Sequence, residues 1–443
     1  MEREMSRLLL GQRLSVGFEG YEIPDEYRAL VREYKIGNVI LFRRNVKDRQ
    51  QLTRLCGELR RLILEETGHE PFIMLDEESG SVSRLSHIAA ATPSAMAIGA
   101  TGDPENARAV GRLIGEELRC VGVNFNLAPV LDVMTNPLNQ LIGIRSFGMT
   151  PEKAAEMGVA YMEGLQSTGV FACGKHFPGH GDTCVDSHIG LPVIDRSRER
   201  IRAVELVPFK AAIDRGIRAI MSAHIIFPAF EPERKPATVS RNVMTGLLRQ
   251  ELGFGGIIVS DGMEMQAIMD LYGIEDGVLR ALQAGVDICL VCHSPKQAHD
   301  CMEYCLAAME RGELAEEELL THYGRIVSRK RLLPGQPAET EADLFGSVDQ
   351  QALARRIMDE AVRPLHRPGD RPLPPVDART LCTGAPARAQ SLASDSVVLN
   401  AAQRLAGELG AAYLELSDDN APVDLPTGGT VLSVLTNNDA RLA

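Results

Sequence analysis

The chain has 443 residues, of which 44% are hydrophobic and 24% charged, and a formal net charge of −13 at pH 7. This length allows one large domain and one small one, and the negative charge argues against nucleic acids and anionic membranes as partners. The nine scattered cysteines indicate reduced thiols in a cytoplasmic protein rather than a disulfide framework, and we expect no signal peptide or membrane span.

Short apolar runs recur along the chain and predict buried strands. In chain order they lie at 16–20, 36–42, 71–75, within 123–133, and at 169–173, 219–224, 256–261 and 286–291. Between them, apolar residues at helical spacing predict helices. These lie around 52–63, at 104–120 with Asp103 as the N-cap, after Pro151, and around 199–215, 242–252, 276–284 and 295–311.

This alternation of about eight strands with helices predicts a (β/α)8 TIM-type barrel, with an open doubly wound sheet as the alternative. The placement of polar residues favours the barrel, because its active site lies where the C-terminal ends of the strands converge. Residues of this kind that end predicted strands are Asp76, Asp132, Lys175, His176, His224 and Asp261.

The composition changes near residue 332, which predicts three segments. Residues 1–332 form the catalytic barrel, and residues 333–375 form a linker with a helix around 349–362. Residues 376–443 form a small or incomplete α/β unit, with short apolar runs at 397–399, 413–416 and 431–435 and a helical segment at 401–409.

The segment 174–188 carries the strongest chemical signal of the chain, with three histidines, two aspartates and a lysine in a glycine-rich loop. Asp186 and His188 are two residues apart and face the same way if the segment is extended. A carboxylate beside an imidazole suits proton transfer near neutral pH. The alternatives are a histidine-rich surface loop or a metal site.

Asp261 follows an apolar run and precedes a glycine, so it fits either a nucleophile or the N-cap of the next helix. Together with Asp186 and His188 it would supply a nucleophile and an acid/base, as glycoside hydrolysis requires. A histidine acid departs from the usual pair of carboxylates.

Asp76, Arg84 and Arg145 lie in loops and can bind sugar hydroxyls or form ordinary salt bridges. A zinc site that includes Cys289 and Cys292 is disfavoured, since residues three apart on a strand point to opposite faces. A metal site at His180, Asp182 and His188 is a minor alternative, and we predict no metal.

Five motifs resemble those of bacterial β-N-acetylhexosaminidases of glycoside hydrolase family 3, in the branch that acts on peptidoglycan fragments. They cover the barrel, roughly residues 13–331, and lie at 40–45, 76–84, 142–148, 174–188 and 260–265.

The resemblance implies that Asp261 is the nucleophile of a retaining reaction and that His188 is the acid/base, with Asp186 as its partner. It also implies that no metal or organic cofactor is needed. The residues expected to bind N-acetylglucosamine are Asp76, Arg84, Arg145, Lys175 and His176.

Departures from the family pattern cluster in two motifs. At residues 76–82 the family usually has Asp-Gln-Glu-Gly-Gly-Arg-Val. In this chain Glu77 replaces the glutamine, Ser79 the first of the two glycines, and Ser81 the arginine. After Asp261, Gly262 and Met263 replace the usual small or acidic residue and leucine, which bears on how Asp261 is supported.

The expected function is therefore an exo-acting retaining β-N-acetylglucosaminidase with a small glycoside or muropeptide as substrate. A phosphorylase or another β-glycosidase on the same fold is the first alternative, because a histidine acid would not repel phosphate as a glutamate would. A non-catalytic sugar-binding protein is the second alternative.

Overall fold

The computed structural model describes residues 3–139, 141–183, 191–335 and 344–361, together with the backbone of three strands between residues 380 and 433. The chain divides into two units, Met1–Val362 and Arg363–Ala443.

The first unit is built on a closed barrel of eight parallel strands, which confirms the predicted (β/α)8 fold. The strand order around the barrel is β1-β10-β9-β8-β7-β6-β3-β2, and β4 pairs with β5 in a separate antiparallel hairpin. The strands are β1 Leu14–Val16, β2 Asn38–Leu41, β3 Phe72–Leu75, β4 Glu77–Ser79, β5 Val82–Ser83, β6 Phe125–Asn126, β7 Phe171–Phe177, β8 Ala219–Ser222, β9 Ile257–Gly262 and β10 Ile288–Val291.

Helices surround the barrel and follow most of its strands. They are α1 Arg3–Gly11, α2 Asp25–Tyr34, α3 Arg49–Thr67, α4 Ala95–Thr101, α5 Pro104–Cys120, α6 Pro151–Ser167, α7 Arg198–Ala203, α8 Leu206–Asp214, a π-type helix Asn242–Glu251, α9 Gln266–Ala284, α10 Pro295–Glu310, α11 Glu316–Lys330 and α12 Val348–Ala361. The predicted cap of α5 is present, because the Asp103 side chain accepts a hydrogen bond from the backbone N–H of Glu105.

Two strands differ from their predicted extents. β7 continues to Phe177, so Lys175 and His176 lie within the strand and the expectation that a loop begins at residue 174 was wrong. Polar side chains are tolerated there because they line the open end of the barrel rather than its packed interior. β6 spans only two residues, since the chain soon reaches Pro129, which has no N–H to donate to a ladder.

Several helices also differ. The helix predicted at 199–215 is divided into α7 and α8 at Val204, whose backbone is not helical. The helix predicted at 276–284 is the second half of α9, which is broken at Gly273, where φ is +71°. Helices α1, α2, α4 and α11 had not been predicted.

Two packed clusters form the core, one inside the barrel and one between the strands and the surrounding helices. Ile326 of α11 belongs to the interior cluster. None of the helices in the described ranges is long and apolar enough to cross a membrane.

In the second unit the described strands, Thr380–Gly384, Ala412–Glu415 and Thr430–Ser433, form a parallel sheet with the first of them in the middle. Two of them overlap the predicted runs at 413–416 and 431–435, whereas the predicted run at 397–399 and the helix at 401–409 lie outside the described residues. The helix predicted at 349–362 is α12, which packs on α4 and α5 in the first unit. The proposed division at residue 332 stays a prediction.

Candidate active site

The C-terminal ends of three barrel strands bring the predicted polar residues to one mouth. Asp76 directly follows β3, Lys175 and His176 lie near the end of β7, and Asp261 lies near the end of β9. Because the carboxyl ends of parallel barrel strands converge, residues far apart in the sequence lie at the same end of the barrel.

A buried ionic network forms one side of this mouth. The Lys175 ammonium donates hydrogen bonds to Asp76 Oδ1 at 2.7 Å and to Glu78 Oε1 at 2.5 Å. Arg84 Nη2 lies 3.4 Å from Asp76 Oδ2. Asp76 therefore joins two other predicted sugar-binding residues, Lys175 and Arg84, and Lys175 extends the network to Glu78, to which sequence reasoning had given no role.

Arg145 enters the same network from the turn Gly143–Arg145. Its Nε and Nη2 donate to the two carboxylate oxygens of Glu78 at 2.7 and 2.8 Å, and its Nη1 donates to the carbonyl of Leu141 at 3.1 Å. This bidentate pair fixes the guanidinium plane. Arg145 thus connects loops, and its Nη2 also lies 3.4 Å from His176 Nε2.

Burial and charge oppose one another in this network, and charge prevails. Burial alone would raise the pKa of Glu78, but Arg145 and Lys175 outweigh it and hold that pKa well below its usual value. Burial would lower the pKa of Lys175, but Asp76 and Glu78 raise it overall. Both side chains are therefore ionised at neutral pH, and their charges compensate each other out of contact with water.

His176 is oriented by Asp132, which is fully buried. The His176 Nδ1 lies 2.7 Å from Asp132 Oδ2, and the backbone N–H groups of His176 and His180 also donate to this carboxylate. Despite burial, His176 keeps the pKa of Asp132 low. Because a carboxylate only accepts, Nδ1 carries the proton and Nε2 is left for Arg145 and a ligand.

Asp261 is supported by a short chain of hydrogen bonds. The backbone N–H of Gly262 donates to Asp261 Oδ1 at 2.8 Å, and the carbonyl of Gly262 accepts from His224 Nε2 at 2.9 Å. His224 Nδ1 in turn lies 2.8 Å from Thr238 Oγ1. The alternative in which Asp261 caps the next helix does not hold, since α9 begins at Gln266 and Met265 occupies its cap position.

The pKa of the buried Cys292 thiol depends on the charges around it. Burial raises the pKa of Cys292 well above its usual value, and the charges of Glu264, Asp261 and Asp76 raise it further. Asp261 is partly exposed at the same end of the barrel as the ionic network, where it can meet a ligand.

The loop after β7 is anchored at its beginning. Asn139 Nδ2 donates to the carbonyl of His180 at 2.7 Å, and Asn136 Nδ2 donates to the carbonyl of Thr183 at 3.1 Å. Burial lowers the pKa of His180 to about 4, so this ring is neutral. Asp186 and His188, the predicted acid/base pair, lie outside the described residues.

The sequence suggested two candidate metal sites, and the one at His180, Asp182 and His188 includes a residue, His188, that lies outside the described ranges. Cys289 belongs to the cluster between strands and helices, whereas Cys292 belongs to the barrel interior, so these thiols lie on opposite sides of β10 as predicted. Within the part of the chain that the structure describes, no group of three histidine, cysteine or acidic side chains is placed to hold a metal ion.

Residues 6–329 match the family described as the glycosyl hydrolase family 3 N-terminal domain. Beta-hexosaminidase A of Pseudoalteromonas piscicida is 34% identical over 368 residues, which cover 74% of this chain and 62% of that protein. The chain thus spans less than two thirds of that relative. The beta-hexosaminidase of Thiobacillus denitrificans is 37% identical over 293 residues, covering 65% of this chain and 80% of the relative.

Solved structures agree with these matches. A family 3 beta-N-acetylglucosaminidase from a Paenibacillus species has a TM-score of 0.84 and 36% identity, covering 93% of this chain and 79% of that one. NagZ from Neisseria gonorrhoeae, in complex with N-trifluoroacetyl-D-glucosamine, has a TM-score of 0.66 and 28% identity, covering 79% and 98%. The resemblance inferred from the five motifs is confirmed, and this chain belongs to glycosyl hydrolase family 3.

Proposed function

We propose that this chain is an exo-acting, retaining β-N-acetylglucosaminidase that releases terminal N-acetylglucosamine, with peptidoglycan-derived muropeptides as natural substrates. The observation that carries the proposal is that Asp261 and a buried network of ionised side chains lie at the same end of the barrel. The names of the relatives, beta-hexosaminidase and beta-N-acetylglucosaminidase, support the same activity.

The ionic network suits a sugar ring because it offers donors and acceptors with fixed directions. Asp76 keeps lone pairs for sugar hydroxyls beyond its bonds to Lys175 and Arg84, since each carboxylate oxygen can accept two hydrogen bonds. Arg145 and His176 are the further groups proposed to bind the sugar, and they lie 3.4 Å apart in the same network. Such pre-positioned charges bind hydroxyl groups without reorganising when the sugar arrives.

In the proposed reaction, an oxygen of Asp261 bonds to the anomeric carbon as the bond from that carbon to the leaving oxygen breaks. His188 gives its proton to the leaving oxygen. Asp186 stabilises the imidazolium of His188 before this step and holds the imidazole ring in the same orientation after it. Water then gives a proton to His188 and attacks the anomeric carbon, which releases Asp261. Two displacements at one carbon retain the β-configuration, and no metal or organic cofactor takes part.

A cytoplasmic setting belongs to the same proposal. The seven cysteines that the structure describes are all buried, and none of them is joined to another described cysteine by a disulfide, which fits a reducing compartment. Small soluble sugar–peptide fragments are the expected substrates there, and no nucleic acid or membrane partner is required.

The decisive experiment is hydrolysis of 4-nitrophenyl β-N-acetylglucosaminide beside the matching β-glucoside, with the first-released anomer followed by NMR. Selective release of the N-acetyl sugar as the β-anomer is expected. Preference for the glucoside would move the substrate class, and lack of turnover on both would favour a sugar-binding protein. Appearance of a sugar 1-phosphate in phosphate buffer would replace hydrolysis by phosphorolysis.

The roles of the two catalytic groups are tested separately. His188→Ala should slow substrates with poor leaving groups far more than aryl substrates, because only the former need a proton on the leaving oxygen. An activated fluorosugar should label Asp261, and a label on another residue would overturn that assignment.

A further inference from the structure

We propose that Glu77 works as a neutral, protonated carboxyl group that positions the sugar-binding hairpin β4–β5 from its inner side. This inference rests on the proposed function for its effect on sugar binding. Residue 77 is usually a glutamine in the family. If Glu77 must stay protonated, the affinity for the sugar should fall as the pH rises above neutral.

The backbone places Glu77 between two residues of the ionic network. Asp76 and Glu78 point toward Lys175, and alternation along the strand turns Glu77 to the opposite side. The Glu77 side chain is only 4% exposed. Its main chain is also held firmly, because the side-chain amide of Asn126 bonds both its N–H and its carbonyl, at 2.9 and 2.8 Å.

The side chain of Glu77 ties the two strands of the hairpin together. Its Oε2 accepts a hydrogen bond from the backbone N–H of Leu85 at 3.0 Å, and its carboxyl group also bonds the side chain of Ser83, its partner across the hairpin. Arg84, which bonds Asp76, lies between Ser83 and Leu85 in the sequence. Any movement of Glu77 is therefore passed directly to Asp76, Glu78 and Arg84.

Burial outweighs the groups around Glu77 that would favour a negative charge, which are Arg84 and the hydrogen bonds from Ser83 and Leu85. Glu117 of α5 and Tyr161 of α6 face it from the packed helices, Asn126 faces it from β6, and Arg84 is the cation nearby on its own hairpin. Arg84 is already engaged with Asp76. Burial raises the pKa of Glu77 to about 8, and burial raises that of Glu117 to about 7.

A protonated carboxyl group and an amide are equivalent in this position. Each has one carbonyl oxygen, which can accept from Leu85 N–H, and one donor group, which can serve Ser83. An ionised carboxylate keeps the acceptor but brings an uncompensated charge into the core, which is strongly unfavourable. The hairpin therefore holds its binding geometry only while Glu77 carries its proton.

The test compares the wild-type chain with Glu77→Gln on 4-nitrophenyl β-N-acetylglucosaminide between pH 6 and 9.5. With a carboxyl pKa of about 8, the wild-type KM should rise about tenfold from pH 7 to pH 9, because only the neutral form binds the sugar well. The loss should fall on KM rather than kcat. Glu77→Gln should remove this rise, while Glu65→Gln, at an exposed position of α3, should retain it.

A wild-type KM that stays constant to pH 9, or a rise that persists in Glu77→Gln, would overturn the proposal. So would a large loss of affinity in Glu77→Gln at pH 7, because an amide should replace a neutral carboxyl group.

A second readout needs no catalysis. The folded-state pKa of Glu77 lies above its unfolded value of 4.5, so the folded chain holds more protons between these values and loses stability as pH rises through them. Urea midpoints of wild type and Glu77→Gln should therefore diverge from pH 5 to 8, with the variant increasingly the more stable. Parallel midpoints would contradict a neutral Glu77, whereas divergence without any glycosidase activity would reject the proposed function alone.

Discussion

Asp132 determines which nitrogen of His176 is available to a ligand. The carboxylate collects three donors from two histidines, and it does so without contact with solvent. His176 Nε2 is thereby aimed toward Arg145. Asp132 does not belong to the ligand-contacting set itself, so we regard it as a positioning residue.

We expect Asp132→Asn to raise the KM for the aryl N-acetylglucosaminide by about 5- to 150-fold. The amide group would face N–H donors with its own NH2, and an unmatched buried polar group costs about 1–3 kcal/mol. Steady-state kinetics at pH 7 would measure this. Asp195→Asn makes the same charge change at an exposed position and should leave KM as in the wild type, and equal KM values for both variants would disprove the role of Asp132.

Ser79 carries local strain at a position where the family usually has glycine. Its φ is +90°, a region that side chains rarely adopt, and its hydroxyl is buried without a hydrogen-bond partner among the described residues. We expect Ser79→Gly to raise the free energy of unfolding by about 1 kcal/mol, as relief of strain and of the unpaired hydroxyl outweighs the added freedom of the unfolded chain. Urea unfolding followed by circular dichroism would measure it.

Ser81→Gly is the matched control for this change. Ser81 is exposed and has no positive φ, so glycine should make the chain slightly less stable there. A loss of stability in Ser79→Gly as well would show that the serine is well accommodated.

At the scale of elements, the hairpin β4–β5 connects two of the proposed sugar-binding residues, Arg145 and Lys175, through Glu78. This carboxylate accepts from Arg145 and Lys175, which lie 67 residues away or more in sequence. The sequence located Asp76, Lys175 and Asp261 because strand ends converge in a barrel, and it located Arg84 through the motif at 76–84. It could not assign Glu78 or Asp132, because their roles depend on which distant cations and rings fold against them.

Glu78→Gln should lower the free energy of unfolding by about 3–5 kcal/mol at pH 7, because it leaves two buried cations without their shared partner. The pKa of Glu78 is lower in the folded chain than its unfolded value of 4.5. Its contribution is therefore present above pH 4.5 and is lost as pH falls below it. Urea titrations at pH 7 and pH 4 should show the gap between wild type and variant becoming smaller at the lower pH.

The exposed Glu152 at the start of α6 offers a control for this substitution. Glu152→Gln removes the same charge from the surface and should change stability by no more than about 0.5 kcal/mol. A gap that stays constant between pH 7 and pH 4 would mean that Glu78 is not held as a carboxylate.

At the scale of the whole molecule, periodicity was enough to predict the barrel, since buried parallel strands read as continuous apolar runs. It failed where tertiary contacts override local pattern. α11 has charged residues in its first and last turns, which obscured it, although its Ile326 reaches the barrel interior. β7 passed beyond its apolar run because its polar end faces the mouth.

The contacts of α12 show that this helix belongs to the first unit. Ile357 and Ala354 are buried, and Glu360 accepts a hydrogen bond from Asn106 Nδ2 of α5 at 2.8 Å. Just before this helix, the backbone N–H of Gly346 donates to Glu117, 3.3 Å away. These contacts attach α12 to α4 and α5, beyond the predicted limit at residue 332.

We therefore expect a chain that ends at residue 332 to be less stable than one that ends at residue 362. Removing α12 uncovers the apolar surface that Ile357 covers, and burying such a side chain contributes about 1.5–3 kcal/mol. The chain has no tryptophan, so urea unfolding followed by far-ultraviolet circular dichroism is the suitable measurement. Ile357→Ala in the full chain should show the same defect, costing about 2–5 kcal/mol through the cavity it leaves. If the two truncated chains unfolded at the same urea concentration, α12 would not be part of the folded barrel unit, and the limit predicted at residue 332 would be the better one.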